Sequence, residues 1–309
     1  MTETPYHRPV LLRESVDGLA VRADGVYVDV TFGGGGHSRE ILSRLGSEGR
    51  LIAFDQDEDA LANAPQDDRF LLVNENFRYL KRYLKFYGIL KVDGILADFG
   101  VSSHQFDQAS RGFSTRLEGE LDMRMSRRSG RSARQVIGEY PFEALREILR
   151  NYGELRNPAP VARAIVEARE KAPILTTSDL SAAVRPLLQK GKENKGLAQV
   201  YQAIRMEVNE ELGVLREFLL QTPDVLKAGG RLSLISYHSL EDRLVKRYIR
   251  SGKFEGEVEK DFFGNPIRPF KAVGKLIVPS DTEIQVNPRA RSAKLRIAER
   301  LQTHNESKK

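Results

Sequence analysis

Over its first hundred residues the chain alternates short apolar runs with amphipathic stretches. Residues 26–30, 50–55, 69–73 and 92–98 are apolar runs bounded by turn-forming residues, the pattern of strands buried on both faces. Residues 10–19, 38–45, 57–64 and 77–87 repeat their apolar positions at helical spacing. From about residue 106 to 194 no buried strand is evident. Helices are predicted there over 141–150, 158–171 and 178–188, with Pro160 and the Thr177-Ser178-Asp179 group supplying start signals. The α/β pattern then resumes. A long helix is predicted over 197–220, a fifth strand over 231–237, and a helix through Ile249 whose Ser239 and Asp242 have capping-box spacing. Residues 275–278 and 293–298 are short candidate strands for an antiparallel edge. The expected organisation is a discontinuous α/β core, 1–106 with 195–309, and an all-α, arginine-rich insert over 107–194.

The first strand runs into four consecutive glycines, Gly33 to Gly36, and then into a helix. Strand, glycine turn and helix form the nucleotide-binding entry of an open α/β sheet. Glycine admits positive φ and close approach of a ligand to the main chain. The new helix offers unpaired N–H groups and the positive end of its dipole. A plain glycine connection has the same look, so the residues downstream decide. Asp55 ends the second strand about 20 residues beyond the glycines, where such folds place an acid that accepts from ribose hydroxyls. Capping the next helix is a compatible second role for it. Phe77 follows the third strand and either stacks on an adenine or packs beneath its helix. Asp98 ends the fourth strand, and the polar loop behind it brings Gln105 within reach of the same ligand.

Composition narrows the function classes. A length of 309 residues suits one large domain or two, and 40% hydrophobic content is enough for a core. No apolar run approaches the roughly 20 residues that span a membrane, and the first residues carry no basic-then-apolar signal pattern. Absence of cysteine rules out disulfides, thiolate nucleophiles and thiolate metal sites and fits a reducing cytoplasm. No metal is expected. The net charge is +6, and the basic residues are concentrated: residues 111–134 hold seven arginines against three acids, and 286–309 hold seven basic residues against two acids. Such blocks suit a polyanion such as RNA, or a solvated basic surface.

Two cofactors suit a glycine turn with a downstream acid. The dinucleotide fingerprint spaces its glycines as G-x-G-x-x-G, whereas here they are contiguous and the sixth position is Ser38. S-adenosylmethionine has no phosphate and needs acids for its ribose and its ammonium group. Asp29, Asp55 and Asp98, at the ends of three strands, supply them. The methyl donor is favoured over nicotinamide.

The motifs that complete the picture are His7-Arg8-Pro9-Val10-Leu11-Leu12, Asp29-Val30-Thr31-Phe32-Gly33-Gly34-Gly35-Gly36-His37-Ser38, Asp98-Phe99-Gly100-Val101-Ser102-Ser103, Arg111-Gly112-Phe113-Ser114 and Leu121-Asp122-Met123-Arg124-Met125. Further on stand Gln202-Ala203-Ile204-Arg205-Met206-Glu207-Val208-Asn209, Ser236-Tyr237-His238-Ser239-Leu240-Glu241-Asp242-Arg243 and Asn287-Pro288-Arg289-Ala290-Arg291-Ser292-Ala293-Lys294-Leu295-Arg296. In these the chain resembles the bacterial 16S rRNA cytosine-N4 methyltransferases, the MraW/RsmH family. Gly34 departs from the family pattern, which usually has a larger polar residue at one loop position. The resemblance implies a Rossmann-like class I S-adenosylmethionine-dependent methyltransferase sheet with an inserted all-α domain. It implies a donor site at Gly35, Gly36, His37, Asp55, Phe77, Asp98 and Gln105. It also implies an acceptor, the exocyclic amine of one decoding-centre cytosine in 16S rRNA, presented within the small ribosomal subunit. A homodimer is compatible with it.

A cytosine amine is a poor nucleophile because its lone pair is delocalised into the ring. An acceptor oxygen on its N–H favours a pyramidal nitrogen and takes the proton, while alignment supplies much of the rate. The Asp/Asn/Ser-Pro-Pro-aromatic tetrad that other amino-methylating enzymes use is absent. The catalytic candidates are Asp98, Tyr237 and His238; a buried tyrosine with a helix-capping histidine is the plainer reading of the last two. The alternative functions are a nicotinamide-dependent oxidoreductase and a non-catalytic RNA-binding factor of ribosome assembly.

Overall fold

In the computed structural model residues 9–128 and 130–302 are described. His7 and Arg8 of the first motif, and residues 303–309 of the basic C-terminal stretch, lie outside the described residues.

Seven strands form one sheet: β1 (Val26–Asp29), β2 (Arg50–Phe54), β3 (Phe70–Val73), β4 (Val92–Asp98), β5 (Leu226–Ser236), β6 (Phe270–Ile277) and β7 (Lys294–Arg300), in the order β3-β2-β1-β4-β5-β7-β6. The first five pair in parallel, and β7 runs antiparallel between β5 and β6. Strand order reverses between β1 and β4, the switch point outside whose carboxyl ends open α/β sheets bind ligands. Register sets the depth of each acid. Asp29 lies opposite Ala53 of β2 and Leu96 of β4. Asp55 and Asp98 therefore stand two residues, roughly 7 Å, farther toward the ligand edge.

Sequence periodicity decides what covers each face. Leu51 packs with Val16 and Leu19 and with Ile41, Leu42 and Leu45, so α1 (Leu12–Gly18) and α2 (Gly36–Arg44) cover one side of the sheet. Phe54, three residues on and of opposite parity, points to the other side. There it meets Tyr83 of α3 (Leu80–Phe86) edge-on at 6.2 Å. A 3-10 turn fills 58–63 where a regular helix was predicted.

The chain divides into two compact units, 1–100 with 213–309, and 101–212. The second is helical: α4 (Ser103–Asp107), α5 (Ala133–Glu139), α6 (Phe142–Asn151), α7 (Pro158–Lys171), α8 (Thr177–Val184) and α9 (Glu193–Val208). Its core takes Leu145, Ile148 and Leu149 from α6, Val161 and Ile165 from α7, and Leu197, Val200 and Ile204 from α9. Residues 195–212, placed with the α/β core by the sequence, therefore belong to the helical unit, because α9 buries its apolar stripe there.

The single long helix predicted over 197–220 is two, α9 and α10 (Glu211–Val225). The side chain of Asn209 breaks it. Its Oδ1 accepts from the Met125 amide at 2.8 Å and its Nδ2 donates to the Met123 carbonyl at 2.8 Å, while Glu210 takes the left-handed conformation, φ 49°. The arginine-rich segment is correspondingly well anchored. Arg111 is buried and donates to the carbonyls of Arg124 and Met125. Arg124 pairs with Asp122 at 2.8 Å, and Arg131 lies over the Tyr140 ring at 5.6 Å. Arg116, Arg127, Arg128 and Arg134 are exposed. In the first unit, α11 (Ser239–Ser251) follows β5, and α12 (Asp281–Val286) precedes β7.

Candidate active site

The glycine turn is held from within. Gly35, at φ 74°, is the N-cap of α2, and a Cβ there would stand 2.8 Å from the Phe32 ring. A Cβ on Gly36 would meet Pro9 at 2.1 Å. Both glycines are thus required by the packing of the turn itself. His37 is buried, and its Nε2 lies 3.1 Å from the Val10 carbonyl. A carbonyl only accepts, so Nε2 carries the hydrogen. Burial pulls the imidazole down to about 4 and keeps it neutral. Its side chain joins the turn to the N-terminal segment.

The three strand-end acids separate into two kinds. Asp29 is fully buried and accepts from Ser38 Oγ at 2.7 Å and from the Thr31 amide at 3.1 Å. The sequence grouped it with the acids offered to a ligand; the register places it one layer below, where it ties strand to helix. Asp55 is half-buried. Its Oδ2 accepts from the Gly33 amide at 2.7 Å and its Oδ1 from the Asp57 amide at 2.8 Å. Those bonds fix the carboxylate and leave each oxygen a second lone pair. Asn74 Nδ2 donates to the Asp55 carbonyl at 2.8 Å, and Asn76 Nδ2 to Gln56 at 2.8 Å, so the ends of β2 and β3 are bound together. Phe77 follows at once, half-buried, its ring edge-on to Phe218 at 5.3 Å and tilted against Phe99 at 6.1 Å.

Asp98 is also half-buried. Its amide donates to Thr31 Oγ1 at 2.7 Å, and its Oδ1 accepts from the Tyr237 hydroxyl at 2.8 Å. Tyr237 is oriented from the other end by Glu241, whose Oε2 accepts from the amides of Tyr237 (2.9 Å) and His238 (3.1 Å). The capping box of α11 is therefore His238 with Glu241, one residue earlier than the predicted Ser239 and Asp242. The histidine side chain accepts from the Glu241 amide. Glu241, three residues beyond His238, is placed by the capping-box spacing that the sequence carries. Gln105 lies in the helical unit, where it is buried and completes a capping box with Ser102 at the start of α4.

Charge gives this edge its character. Burial first, with a smaller contribution from the carboxylate of Asp29, raises Asp55 to about 6 and Asp98 to about 7. Burial, then the neighbouring Asp98, holds the Tyr237 hydroxyl well above its ordinary range. Asp55 and Asp98 end strands on either side of β1, roughly 10 Å apart. Two acids at the edge, with a third buried beneath them, favour a cation and repel a pyrophosphate.

The whole-chain comparison settles the family. The model of the MraW methylase family matches residues 4–301. The chain belongs to the MraW methylase family. It is a methyltransferase, and the nicotinamide alternative falls. A relative in Christiangramia forsetii, the ribosomal RNA small subunit methyltransferase H, is 66% identical over 96% of this chain and 98% of its own length. The protein of the same name in Flavobacterium johnsoniae is 62% identical over 97% of this chain and 99% of its own. Among solved structures, an rRNA methylase from Streptococcus thermophilus covers 98% of this MraW-family chain and 99% of its own, with a TM-score of 0.43 at 14% identity; a likeness that distant carries no argument.

Proposed function

We propose that the protein transfers a methyl group from S-adenosylmethionine to the exocyclic N4 amine of a decoding-centre cytosine in 16S rRNA. The observation that carries the choice of donor is the acidic ligand edge, which matches a sulfonium and an ammonium group and opposes a dinucleotide. The relatives' names, at 62–66% identity across nearly the whole chain, support small-subunit rRNA as the acceptor.

The donor set fits. Asp55, with a free lone pair on each oriented oxygen, accepts from the ribose hydroxyls. Phe77 flanks the adenine, braced by Phe99 and Phe218. Asp98 receives the ammonium. Gly35, Gly36 and His37 shape the turn, and the family resemblance adds Gln105 to the set. S-adenosylmethionine, when bound, supplies an electrophilic methyl that needs no further activation. The protein's task is to present the amine in line with it. Tyr237, gripped by Asp98 and Glu241, offers a ring face to the base and a hydroxyl oxygen to an amine proton. His238 has one ring nitrogen committed to capping α11 and is assigned a structural role. The exposed arginines of the helical unit, Arg116, Arg127, Arg128 and Arg134, contact phosphates, so RNA binding weakens with salt.

The deciding experiment is to map methylated cytosines in small-subunit rRNA from cells with and without the protein, and to follow labelled methyl transfer to the unmodified subunits. Loss and restoration of one N4-methylcytosine is the expected result. Binding of subunits without transfer would instead support a non-catalytic assembly factor.

A further inference from the structure

The opposite end of α3 has a chemistry that the methyl-transfer site does not use. Residues 78–92 hold five basic side chains and no acid. Two of the five are consumed within the fold: Arg78 pairs with Glu217 at 2.7 Å and Lys81 with Asp224 at 2.6 Å. Arg82 and Lys85 are exposed, and among the described residues no carboxylate pairs with either. Beside them Phe86 is 77% exposed, Tyr87 41% and Leu90 78%. Phe86 and Tyr87 stand edge to face at 5.1 Å. An open cavity of about 520 Å³ is lined by Arg82, Tyr83, Lys85 and Phe86.

The backbone at this helix end is closed by its own hydrogen bonds. The Tyr87 amide donates to Tyr83, Gly88 to Lys85 and Ile89 to Leu84, the last at 2.8 Å, with Gly88 at φ 73° closing the helix. Tyr83 is anchored behind by Phe54. Rings exposed at a helix end beside two cations that no carboxylate neutralises among the described residues are what stacks an unpaired base and holds its phosphate.

We propose that this end of α3 is a second RNA-contact surface that seats one unstacked nucleotide of the same substrate. The inference rests on the RNA reading given under Proposed function. The α3 segment descends from Phe77 at the ligand edge to Gly88 before β4, and β4 covers seven residues, roughly 20 Å. The seated nucleotide is therefore several residues away from the methylated cytosine, or in another helix. A substrate folded as in the small subunit supplies such a nucleotide, whereas a short fragment around the target does not.

The test compares the full-length protein with two variants, Arg82→Glu combined with Lys85→Glu, and Phe86→Ala. Binding to small subunits from cells lacking the protein is measured by filter retention over a salt series. The charge reversal is expected to weaken binding at least tenfold and to lower the slope of log affinity against log salt by about two. Phe86→Ala is expected to weaken it about fivefold with the slope unchanged. Affinity for S-adenosylmethionine, read by calorimetry, stays at the wild-type value in both, because neither change touches the donor crevice. Wild-type subunit affinity in either variant overturns the proposal. So does a charge-reversal loss with an unchanged salt slope, which identifies a docking surface for a protein. If the charge reversal also loses donor binding, its fold is disturbed and Phe86→Ala decides alone. A wild-type protein that fails to bind the subunits fails the RNA reading itself, before any variant is compared.

Discussion

Asp98→Asn separates charge from geometry at the ligand edge. The amide keeps an oxygen for the Tyr237 hydroxyl, now 2.8 Å from Oδ1, but it cannot ionise. Burial holds the carboxyl at about 7 in the folded protein against an ordinary value of 3.8. Only the ionised form receives an ammonium group, so donor affinity rises with pH through that value. Between pH 6 and pH 8 the ionised fraction grows from about one-tenth to about nine-tenths, a gain of roughly tenfold. Asp55, at about 6, adds roughly another twofold over the same range. Calorimetric titration with S-adenosylmethionine at pH 6, 7 and 8 reads the affinity. Repeating it in buffers of different ionisation enthalpy reads the released proton. The Asn variant is expected to bind about 30-fold more weakly at pH 8, about 2 kcal/mol, and to keep only the twofold dependence.

Stability should move the other way. A carboxyl whose folded value is raised holds its proton more tightly when folded, so stability falls as pH rises from about 4 to about 7. The Asn variant escapes that loss and gains on the order of 2 kcal/mol at pH 8, after discounting for partial exposure. A variant with wild-type affinity at pH 8, or one weakened equally at every pH, would refute the ammonium assignment.

Four further outcomes follow from the same geometry. Asp55→Ala removes the proposed ribose acceptor and the brace on the Gly33 and Asp57 amides; calorimetry should show donor affinity at least tenfold lower, about 1.4 kcal/mol. Tyr237→Phe takes from Asp98 the hydrogen bond that stabilises its charge, so the pH at which donor affinity rises should move upward from about 7. Gly35→Ala forces a Cβ onto a residue at φ 74° and against the Phe32 ring, and chemical denaturation should find it about 2 kcal/mol less stable. Arg127→Glu with Arg128→Glu should weaken RNA binding and flatten its salt dependence by about two while sparing donor affinity. Arg131 is left out because its stacking on Tyr140 would confound the result.

What the sequence made legible was whatever depends on neighbours along the chain. Parallel strands buried on both faces are continuous apolar runs, so β1 to β5 were visible, and the acids at their ends with them. The capping box of α11 was visible in kind but one residue out, because histidine is a less expected N-cap than the serine beside it. What depends on partners far away in the sequence was not legible. Nothing near Asn209 announces that its side chain will leave the helix to serve the backbone at Met123 and Met125, and so the break between α9 and α10, and with it the true limit of the helical unit, was missed. Asp29 shows the same limit at the site. By sequence it is one of three equivalent strand-end acids. By register it sits two residues deeper than Asp55 and Asp98, it is fully buried while they are half-exposed, and its charge adds to the field at the other two. A cationic donor relieves that repulsion on binding and an anionic one aggravates it.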